Sequence, residues 1–231
     1  MNFSLFDELP APYAAPEPIA PGAFLLHGFA LNVADSLLQA VQKVIASAPL
    51  RHQVTPGGMA MSVGMTNCGI FGWTSSRTGY RYSRTDPLTG QPWPPMPSYF
   101  ADLAVRAAAE AGFDGFRPDA CLINRYQPGA RMSLHQDRDE ADLSMPIVSV
   151  SLGLPAIFLF GTDRRSDRPA KHRLAHGDVV VWGGAPGFSR RGAAGRGRAS
   201  TPGTPADQPD ISLCRPAGLS PASLIYKSCE A

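Results

Sequence analysis

Two helical segments followed by four β-type runs restrict the fold of this chain more than any other feature of its sequence. Apolar residues recur at helical spacing from Asn32, a candidate N-cap, to about Ser47. The same spacing returns over residues 98–111, with Gly112 as a candidate C-cap. The β-type runs are 119–126, 147–152, 156–160 and 178–182. Helices that precede a set of strands favour a sheet sandwich or jelly roll braced by helices.

Two further segments complete the pattern, and a third breaks it. Residues 54–73 contain glycine turns between β-type runs and predict a hairpin, and residues 85–97 form a proline-rich loop. Beyond Gly184 the chain has no apolar periodicity and is crowded with Gly, Pro, Ala and Arg. We therefore predict a tail without regular structure over residues 185–231, which leaves the sheet incomplete at its C-terminal end.

Composition indicates one ordinary globular domain. The chain has 231 residues, of which 44% are apolar, and its net charge of +2 does not by itself indicate a nucleic-acid partner. We find no signal peptide and no run of 18 apolar residues. The four cysteines form no C-x-x-C pair, so we interpret them as structural thiols in a reducing compartment. We expect a cytoplasmic protein without a membrane partner.

The residues that carry chemistry begin in the β-type run 119–126 and continue into the stretch that leads to the run 147–152. Asn124-Arg125-Tyr126 is followed by Pro128-Gly129-Ala130 and then by His135-Gln136-Asp137. An H-x-D pair in an extended segment supplies an imidazole and a carboxylate on one side, two of the three ligands in a 2-His-1-carboxylate iron site. Alone, this pair also fits a surface histidine beside a turn aspartate.

The wider context resembles the AlkB family of iron(II)- and 2-oxoglutarate-dependent oxygenases. The stretches that carry the resemblance are VTPGGMAMSVGMTNCG, ACLINRYQPGARMSLHQDRDE, PIVSVSLGLPAIFLFG and HGDVVVWGG, which occur in order within residues 20–184. The resemblance implies a mainly β fold with flanking helices (α+β), a double-stranded β-helix or jelly roll. Its nucleotide-recognition lid would lie at about residues 50–90.

The resemblance to this family also implies a reaction, the oxidative dealkylation of nucleic-acid bases. Iron(II) activates O2, 2-oxoglutarate is decarboxylated to succinate, and the N-alkyl carbon of a damaged base is hydroxylated. The adduct then releases an aldehyde and the repaired base. The typical substrates are 1-methyladenine and 3-methylcytosine in single-stranded DNA, with RNA left open as a further substrate, and the protein is expected to act as a monomer.

The family motifs assign roles to individual residues. By the resemblance, His135 and Asp137 would bind iron, and Asn124 and Tyr126 would hydrogen-bond 2-oxoglutarate. The alternative for these residues, if the motif is taken in isolation, is a structural role without a ligand.

The resemblance also implies a base-binding set. Trp73 would stack on the flipped base, Tyr80 would meet the nucleic-acid backbone, and Asp139 would lie against the base edge. A packing role is the alternative for Trp73. Candidate phosphate contacts, for which a solvated loop is the alternative, are Arg77, Arg81, Arg84, Arg164 and Arg165.

The C-terminal part departs from the family. The second iron-binding histidine belongs to a His-Gly pair, but no histidine follows His176, and Arg191-Gly192 stands near that position. Arginine stays protonated and cannot bind iron. The two arginines of the family's last strand, R-I-N-L-T-F-R, which clamp 2-oxoglutarate, are also missing. His176 is an alternative third ligand.

A change of reading frame near residues 185–188 explains this departure. Codons for residues 206–212, read one base later, permit R-I-N-L-T-F-R at every step. The domain organisation we predict is a lead-in over residues 1–22, an oxygenase domain over 23–184 and a non-family tail over 185–231.

Three functional hypotheses follow. The first is an AlkB-type dealkylation oxygenase whose activity in this form is impaired. The second is a non-catalytic nucleic-acid-binding protein that keeps the base pocket. The third is a different metal enzyme, a hydrolase or isomerase, that uses His135, Asp137 and His176.

Overall fold

Both predicted helices and all four predicted β-type runs are present, but two further strands precede the first helix and four more lie between the helices. The computed structural model describes residues 15–127, 130, 132, 145–161 and 167–183, and the backbone of two further strands at 194–196 and 222–227. The helices are α1 (Ala34–Ser47) and α2 (Ser98–Glu110). The strands are β1 (Glu17–Ala20), β2 (Ala23–Leu26), β3 (Arg51–Val54), β4 (Ala60–Gly69), β5 (Gly72–Ser76), β6 (Gly79–Ser83), β7 (Ala120–Arg125), β8 (Pro146–Leu152), β9 (Ala156–Phe160), β10 (Ala170–Leu174), β11 (Val179–Gly183), β12 (Ala194–Arg196) and β13 (Ala222–Lys227).

Antiparallel pairing organises these strands into three sheets among the described residues. The main sheet has eight strands in the order β1-β2-β11-β8-β13-β7-β4-β3. A second sheet has the order β10-β9-β12, and β5 pairs with β6 as a separate hairpin. The main sheet therefore joins strands from both ends of the chain, and β1 lies inside the segment predicted as a lead-in.

The two faces of the main sheet pack against different layers. Its outer face packs on α1 and α2, with Leu37, Phe100, Ile123 and Val181 fully buried between them. Its inner face meets the second sheet through a cluster around Phe158 and Trp182, and meets the hairpin through a cluster around Met65. This arrangement confirms the mainly β fold with flanking helices, a jelly roll.

Helix ends show one correct and one wrong prediction. Gly112 follows α2 with a φ of +83°, where its N–H bonds Ala109 and the next N–H, of Phe113, bonds Ala108 at 2.8 Å. Asn32 does not cap α1, because a 3-10 turn at Leu31–Val33 precedes the helix and the N-cap is Val33. No helix in the described part of the chain has the length and hydropathy needed to span a bilayer.

The strands β12 and β13 lie in the segment for which the sequence predicts no regular structure. β13 lies between β7 and β8, pairing with β7 from Ala222 opposite Arg125 to Lys227 opposite Ala120. It pairs with β8 from Ala222 opposite Leu152 to Tyr226 opposite Val148. The centre of the main sheet therefore depends on a strand far from both neighbours in sequence.

Cys68 and Cys121 face each other across β4 and β7. They are directly paired in register, fully buried, and free thiols. Burial raises the pKa of the Cys121 thiol well above its ordinary value, so the thiol stays protonated. This fits the structural role predicted for the cysteines; Cys214 and Cys229 lie outside the described residues.

Candidate active site

Both predicted co-substrate residues lie on or next to the inner face of β7: Asn124 belongs to the strand and Tyr126 directly follows it. Leu122 and Tyr126 belong to the inner cluster beside the hairpin, whereas Cys121 and Ile123 belong to the outer core. Because successive residues of a strand alternate between faces, Asn124 lies on the same inner face as Leu122. The structure therefore brings Asn124 and Tyr126 to the inside of the jelly roll, where their predicted ligand would have to bind.

The Asn124 side chain is a buried polar group on this inner face. It is fully buried, and within the described part of the chain neither its amide nitrogen nor its amide oxygen has a hydrogen-bond partner. A buried amide without partners costs about 1–3 kcal/mol, so native proteins seldom leave one. An amide that offers both a donor and an acceptor fits a ligand with carboxylate and ketone oxygens, and 2-oxoglutarate has both.

Tyr126 and Trp73 belong to one apolar cluster. Val63 and Met65 of β4 are buried there with Leu122, Tyr126 and Ala130. Trp73, Met61 and Met132 are half-buried and pack against this cluster. The predicted base-stacking residue therefore lies next to the predicted co-substrate residues, with a continuous apolar floor between them.

The hairpin presents its two aromatic site residues as a stacked pair. Trp73 lies on β5 and Tyr80 on β6, with ring centroids 5.4 Å apart and ring planes inclined by 18°. Register places Trp73 opposite Tyr82 and Tyr80 opposite Ser75, so all four side chains share one face of the hairpin. Tyr80 is exposed and Trp73 is half-buried, so the pair forms an aromatic surface open on one side.

Three of the predicted phosphate contacts lie in or beside the hairpin and are exposed. Arg77 lies at its tip, close enough to the turn before β4 that its guanidinium is 3.8 Å from a Cβ built on Gly58. Arg81 lies opposite Thr74 and therefore projects from the face away from Trp73. Arg84 lies 4.5 Å from the centroid of the Phe71 ring. Arg164 and Arg165 lie outside the described residues.

The predicted iron ligands lie outside the described residues, as do Asp139 and Arg191-Gly192. His135 and Asp137 thus remain predictions from sequence. In the parts of the chain that are described, no three His, Cys, Asp or Glu side chains are grouped as a metal site. The alternative ligand His176 lies just before β11, and its Nδ1 accepts a hydrogen bond of 2.9 Å from the Gly153 N–H.

Sequence reasoning missed the residues that hold the hairpin in place. The Asn67 side chain forms hydrogen bonds with both the N–H and the carbonyl of Trp73. The Gln53 side chain accepts the N–H of Ser75, two residues further along β5. Trp93, in the proline-rich loop, is buried and donates from Nε1 to the Ser83 carbonyl at 2.9 Å. A polar residue inside the apolar run MSVGMTNCG was the available signal for Asn67.

An ion pair closes the base of the hairpin. The Arg51 guanidinium of β3 forms a two-point salt bridge with Asp86, which follows β6; the Nη1–Oδ1 distance is 2.6 Å. Asp86 is nearly fully buried, and its carboxylate also accepts the Leu88 N–H. Bonding to Arg51 lowers the pKa of Asp86 to about 2, although its burial acts in the opposite direction.

Asp86→Asn is expected to lower the free energy of unfolding at neutral pH by about 2 kcal/mol, because the pKa shift of Asp86 measures its preference for the charged form in the folded state. A lowered carboxyl pKa stabilises the fold above the ordinary value, 3.8, and this contribution disappears as pH falls toward 2. Urea unfolding of both proteins should give a difference that narrows between pH 5 and pH 2. The exposed Asp114→Asn serves as control; a difference independent of pH would contradict the assignment.

Comparisons with known proteins agree with the fold and the motifs. A family model described as the 2OG-Fe(II) oxygenase superfamily matches residues 22–188. The Alpha-ketoglutarate-dependent dioxygenase AlkB of Escherichia coli is 59% identical over 168 residues, covering 73% of this chain and 78% of that protein. The Nucleic acid dioxygenase ALKBH1 of Homo sapiens is 34% identical over 113 residues, covering 48% of this chain and 28% of that protein.

A solved structure supports the fold alone. The structure of OsALKBH1 has a TM-score of 0.73 at 24% identity and covers 92% of this chain and 99% of that one. The matched family model spans most of the chain, and the bacterial relative is similar over more than two thirds of both proteins. The chain therefore belongs to the 2OG-Fe(II) oxygenase superfamily and, within it, to the AlkB family of 2-oxoglutarate-dependent dioxygenases.

Proposed function

We propose that this protein binds alkylated bases in nucleic acid and is built for their oxidative dealkylation, with 1-methyladenine and 3-methylcytosine in single strands as substrates. The observation that carries the proposal is the position of the Asn124 amide, which is buried and has no hydrogen-bond partner among the described residues. It lies on the same inner face as Tyr126, which shares an apolar cluster with the half-exposed Trp73. A co-substrate pocket and a base platform are therefore neighbours.

The co-substrate pocket uses the inner face of β7. Asn124 offers a donor and an acceptor to the carboxylate and ketone oxygens of 2-oxoglutarate, and Tyr126 flanks it. His135 and Asp137 are the residues we assign to iron(II), on the strength of the sequence motif. When bound, iron(II) supplies O2 activation coupled to oxidation of 2-oxoglutarate. The apolar cluster beneath Trp73 keeps water away from this side of the pocket.

The base platform is the Trp73–Tyr80 face of the hairpin. A ring nitrogen that carries a methyl group is buried inside a duplex stack, so the base must leave the stack to be reached. This requirement costs least in a single strand, which supports the preference we propose. Trp73 contributes about 1–3 kcal/mol by stacking on the base, Tyr80 meets the nucleic-acid backbone beside it, and Asp139 contacts the base edge.

The same proposal includes impaired chemistry. No histidine follows His176 to serve as the second iron ligand, and residues 185–231 contain no R-I-N-L-T-F-R sequence to supply the two clamping arginines. We attribute the departure to a reading-frame change near residues 185–188. The proposed domain organisation is an oxygenase domain over residues 23–184, with the nucleotide-recognition lid at about residues 50–90, and a non-family tail over residues 185–231. We also propose that the protein is a cytoplasmic monomer. The second candidate function is a non-catalytic binder of methylated bases.

Binding and turnover of one oligonucleotide separate these candidates. In anisotropy titrations, a single strand with one 1-methyladenine is expected to bind more tightly than the unmethylated strand. Trp73→Ala should weaken binding of the methylated strand by about 5- to 150-fold, the equivalent of a lost stacking energy of about 1–3 kcal/mol. Demethylation with iron(II) and 2-oxoglutarate, followed by mass spectrometry, should be little or none for this chain.

The control is Tyr99→Ala. Tyr99 is an exposed aromatic residue of α2, the helix that packs against the outer face of the main sheet, away from the base platform. Efficient demethylation would refute the impairment and leave the family function intact. Equal affinity for methylated and unmethylated strands would refute the base pocket itself. Binding that depends on Trp73 but is indifferent to iron would favour the non-catalytic candidate.

A further inference from the structure

We propose that Asn67 is a positioning residue that fixes the main chain of Trp73 and so sets the ring plane on which a methylated base stacks. The proposal deepens the function proposed above and rests on it. Asn67 lies on β4, in the main sheet, whereas Trp73 lies on β5, in the hairpin. Its amide directly links the main sheet to the base platform.

The hairpin needs such a link because its strands pair with each other. Among the described residues, β5 and β6 form a two-stranded sheet of their own. A single bridge between Phe71 and Ala120, just before β5, ties the entrance of the hairpin to the main sheet. An isolated two-stranded hairpin is marginally stable in water. The orientation of Trp73 must therefore come from contacts made by side chains.

Asn67 supplies these contacts through both ends of its amide. Its Nδ2 donates to the Trp73 carbonyl at 3.0 Å, and its Oδ1 accepts the Trp73 N–H at 3.0 Å. This is the pattern that a neighbouring strand would provide. Asn67 is only 1% exposed, so bulk water does not compete for these two hydrogen bonds. Loss of the amide would remove the Asn67 partner of the Trp73 N–H and leave the Trp73 carbonyl with the longer contact to Gln53.

Gln53 on β3 makes a second, more exposed contact with the same edge of β5. Its Oε1 accepts the Ser75 N–H, and its Nε2 lies 3.4 Å from the Trp73 carbonyl. The Ser75 hydroxyl also donates to the Val54 carbonyl at 2.6 Å. Residues 73 and 75 thus turn their main-chain groups toward β3 and β4. Gln53 is half-buried, so water can replace part of its contribution, which makes it the matched comparison for Asn67.

The test measures methyl discrimination, the ratio of the dissociation constants for an unmethylated and a 1-methyladenine single strand. Asn67→Ala is expected to lower this ratio by on the order of tenfold, toward the value of Trp73→Ala, because a small displacement of the ring removes its fit to the base. Gln53→Ala should lower it less. Affinity for the unmethylated strand, which depends mainly on phosphate contacts, should fall less than affinity for the methylated strand in each variant.

Fluorine NMR of 5-fluorotryptophan-labelled protein supplies a readout that a general loss of stability would not imitate. The chain has three tryptophans, and the Trp73 resonance is identified by its absence in Trp73→Phe. In Asn67→Ala this resonance should broaden or split, while the resonance of Trp182, buried in the cluster facing the second sheet, should not change. A sharp, unshifted Trp73 resonance together with full discrimination would overturn the proposal.

A second variant covers the case in which Asn67→Ala does not fold. Asn67→Gln keeps an amide for both Trp73 groups but moves it by one methylene, so the ring is displaced rather than left without partners. Lower discrimination with the Trp182 resonance in place supports the proposal, and unchanged discrimination overturns it. If Trp73→Ala itself leaves discrimination unchanged, the proposed base platform is wrong; if only the Asn67 variants do so, the positioning role alone is wrong.

Discussion

A chain that ends at residue 221 is expected to lose its cooperative unfolding transition, whereas a chain that ends at residue 227 keeps it. The first lacks β13 and the second retains it. In the full protein β13 pairs with β7 on one side and with β8 on the other. Its removal opens the main sheet at its centre and leaves two inner edges of unpaired main-chain groups.

The expected loss is large because β7 and β8 carry much of the core. Ile123, Val148 and Val150 are fully buried beneath the helices and are aligned by these two strands. Each lost main-chain hydrogen bond contributes about 0.5–1.5 kcal/mol, and the whole ladder therefore approaches the total stability of about 5–15 kcal/mol typical of a domain. Hydrophobic collapse without fixed packing is the expected outcome.

Thermal melts followed by near-ultraviolet circular dichroism, with binding of a hydrophobic dye, measure this difference. Leu224→Pro gives the same test without shortening the chain, because Leu224 pairs with both Ile123 and Val150 and proline removes a donor from a central strand. If the shorter chain melts cooperatively at the same temperature as the chain ending at 227, the pairing of β13 is not what holds the sheet together.

Gly72→Ala is expected to destabilise the protein by about 3 kcal/mol and to abolish methyl discrimination. A Cβ built on Gly72 would lie 2.3 Å from Cε2 and 2.4 Å from Nε1 of Trp93, and 2.9 Å from the Cβ of Asn67. The Trp93 ring is buried and its Nε1 is bonded to Ser83, so it cannot move aside without losing that bond. Extra volume in a packed site of this kind costs about 1–3 kcal/mol or more.

The displaced hairpin would carry Trp73 with it, because Trp73 is the next residue along β5. Gly57→Ala is the matched control: its nearest neighbour is the Thr55 hydroxyl at 3.8 Å, and surface changes of this kind stay within about 0.5 kcal/mol. Urea unfolding gives the stability of both variants, and oligonucleotide titrations give their discrimination. A Gly72→Ala protein as stable as Gly57→Ala would show that Trp93 is free to repack.

Local pattern predicted the two helices and four of the strands, all of which have buried residues. α2 begins and ends within a residue of the prediction, and β8 and β9 match their apolar runs, because burial imposes a period on the sequence. The cap of α1 failed because the 3-10 turn at Leu31–Val33 takes up the position where Asn32 would act. The sequence did not predict β13, because a strand of six residues inside a segment rich in Gly and Pro has too little apolar periodicity to be recognised.

The family motifs indicate the residue types of the candidate site but not the contacts that support them. Asn124, Tyr126 and Trp73 were singled out through family motifs, and the structure places the first two on one inner face and the third beside them. Asn67 and Gln53 act on Trp73 through contacts between strands that only the folded sheet brings together. No period or spacing in the sequence encodes such a contact, because it depends on the placement of the hairpin over β3 and β4.

The central position of β13 also sets the order in which the protein can fold during synthesis. Arg125 of β7 pairs with Ala222, which the ribosome adds roughly a hundred residues later. Until then β7 and β8 have no strand between them, and closing so long a loop is slow as well as costly in chain entropy. The nascent chain therefore presents two apolar strand edges for the time needed to make those residues, and its yield should depend on chaperones that cover such edges.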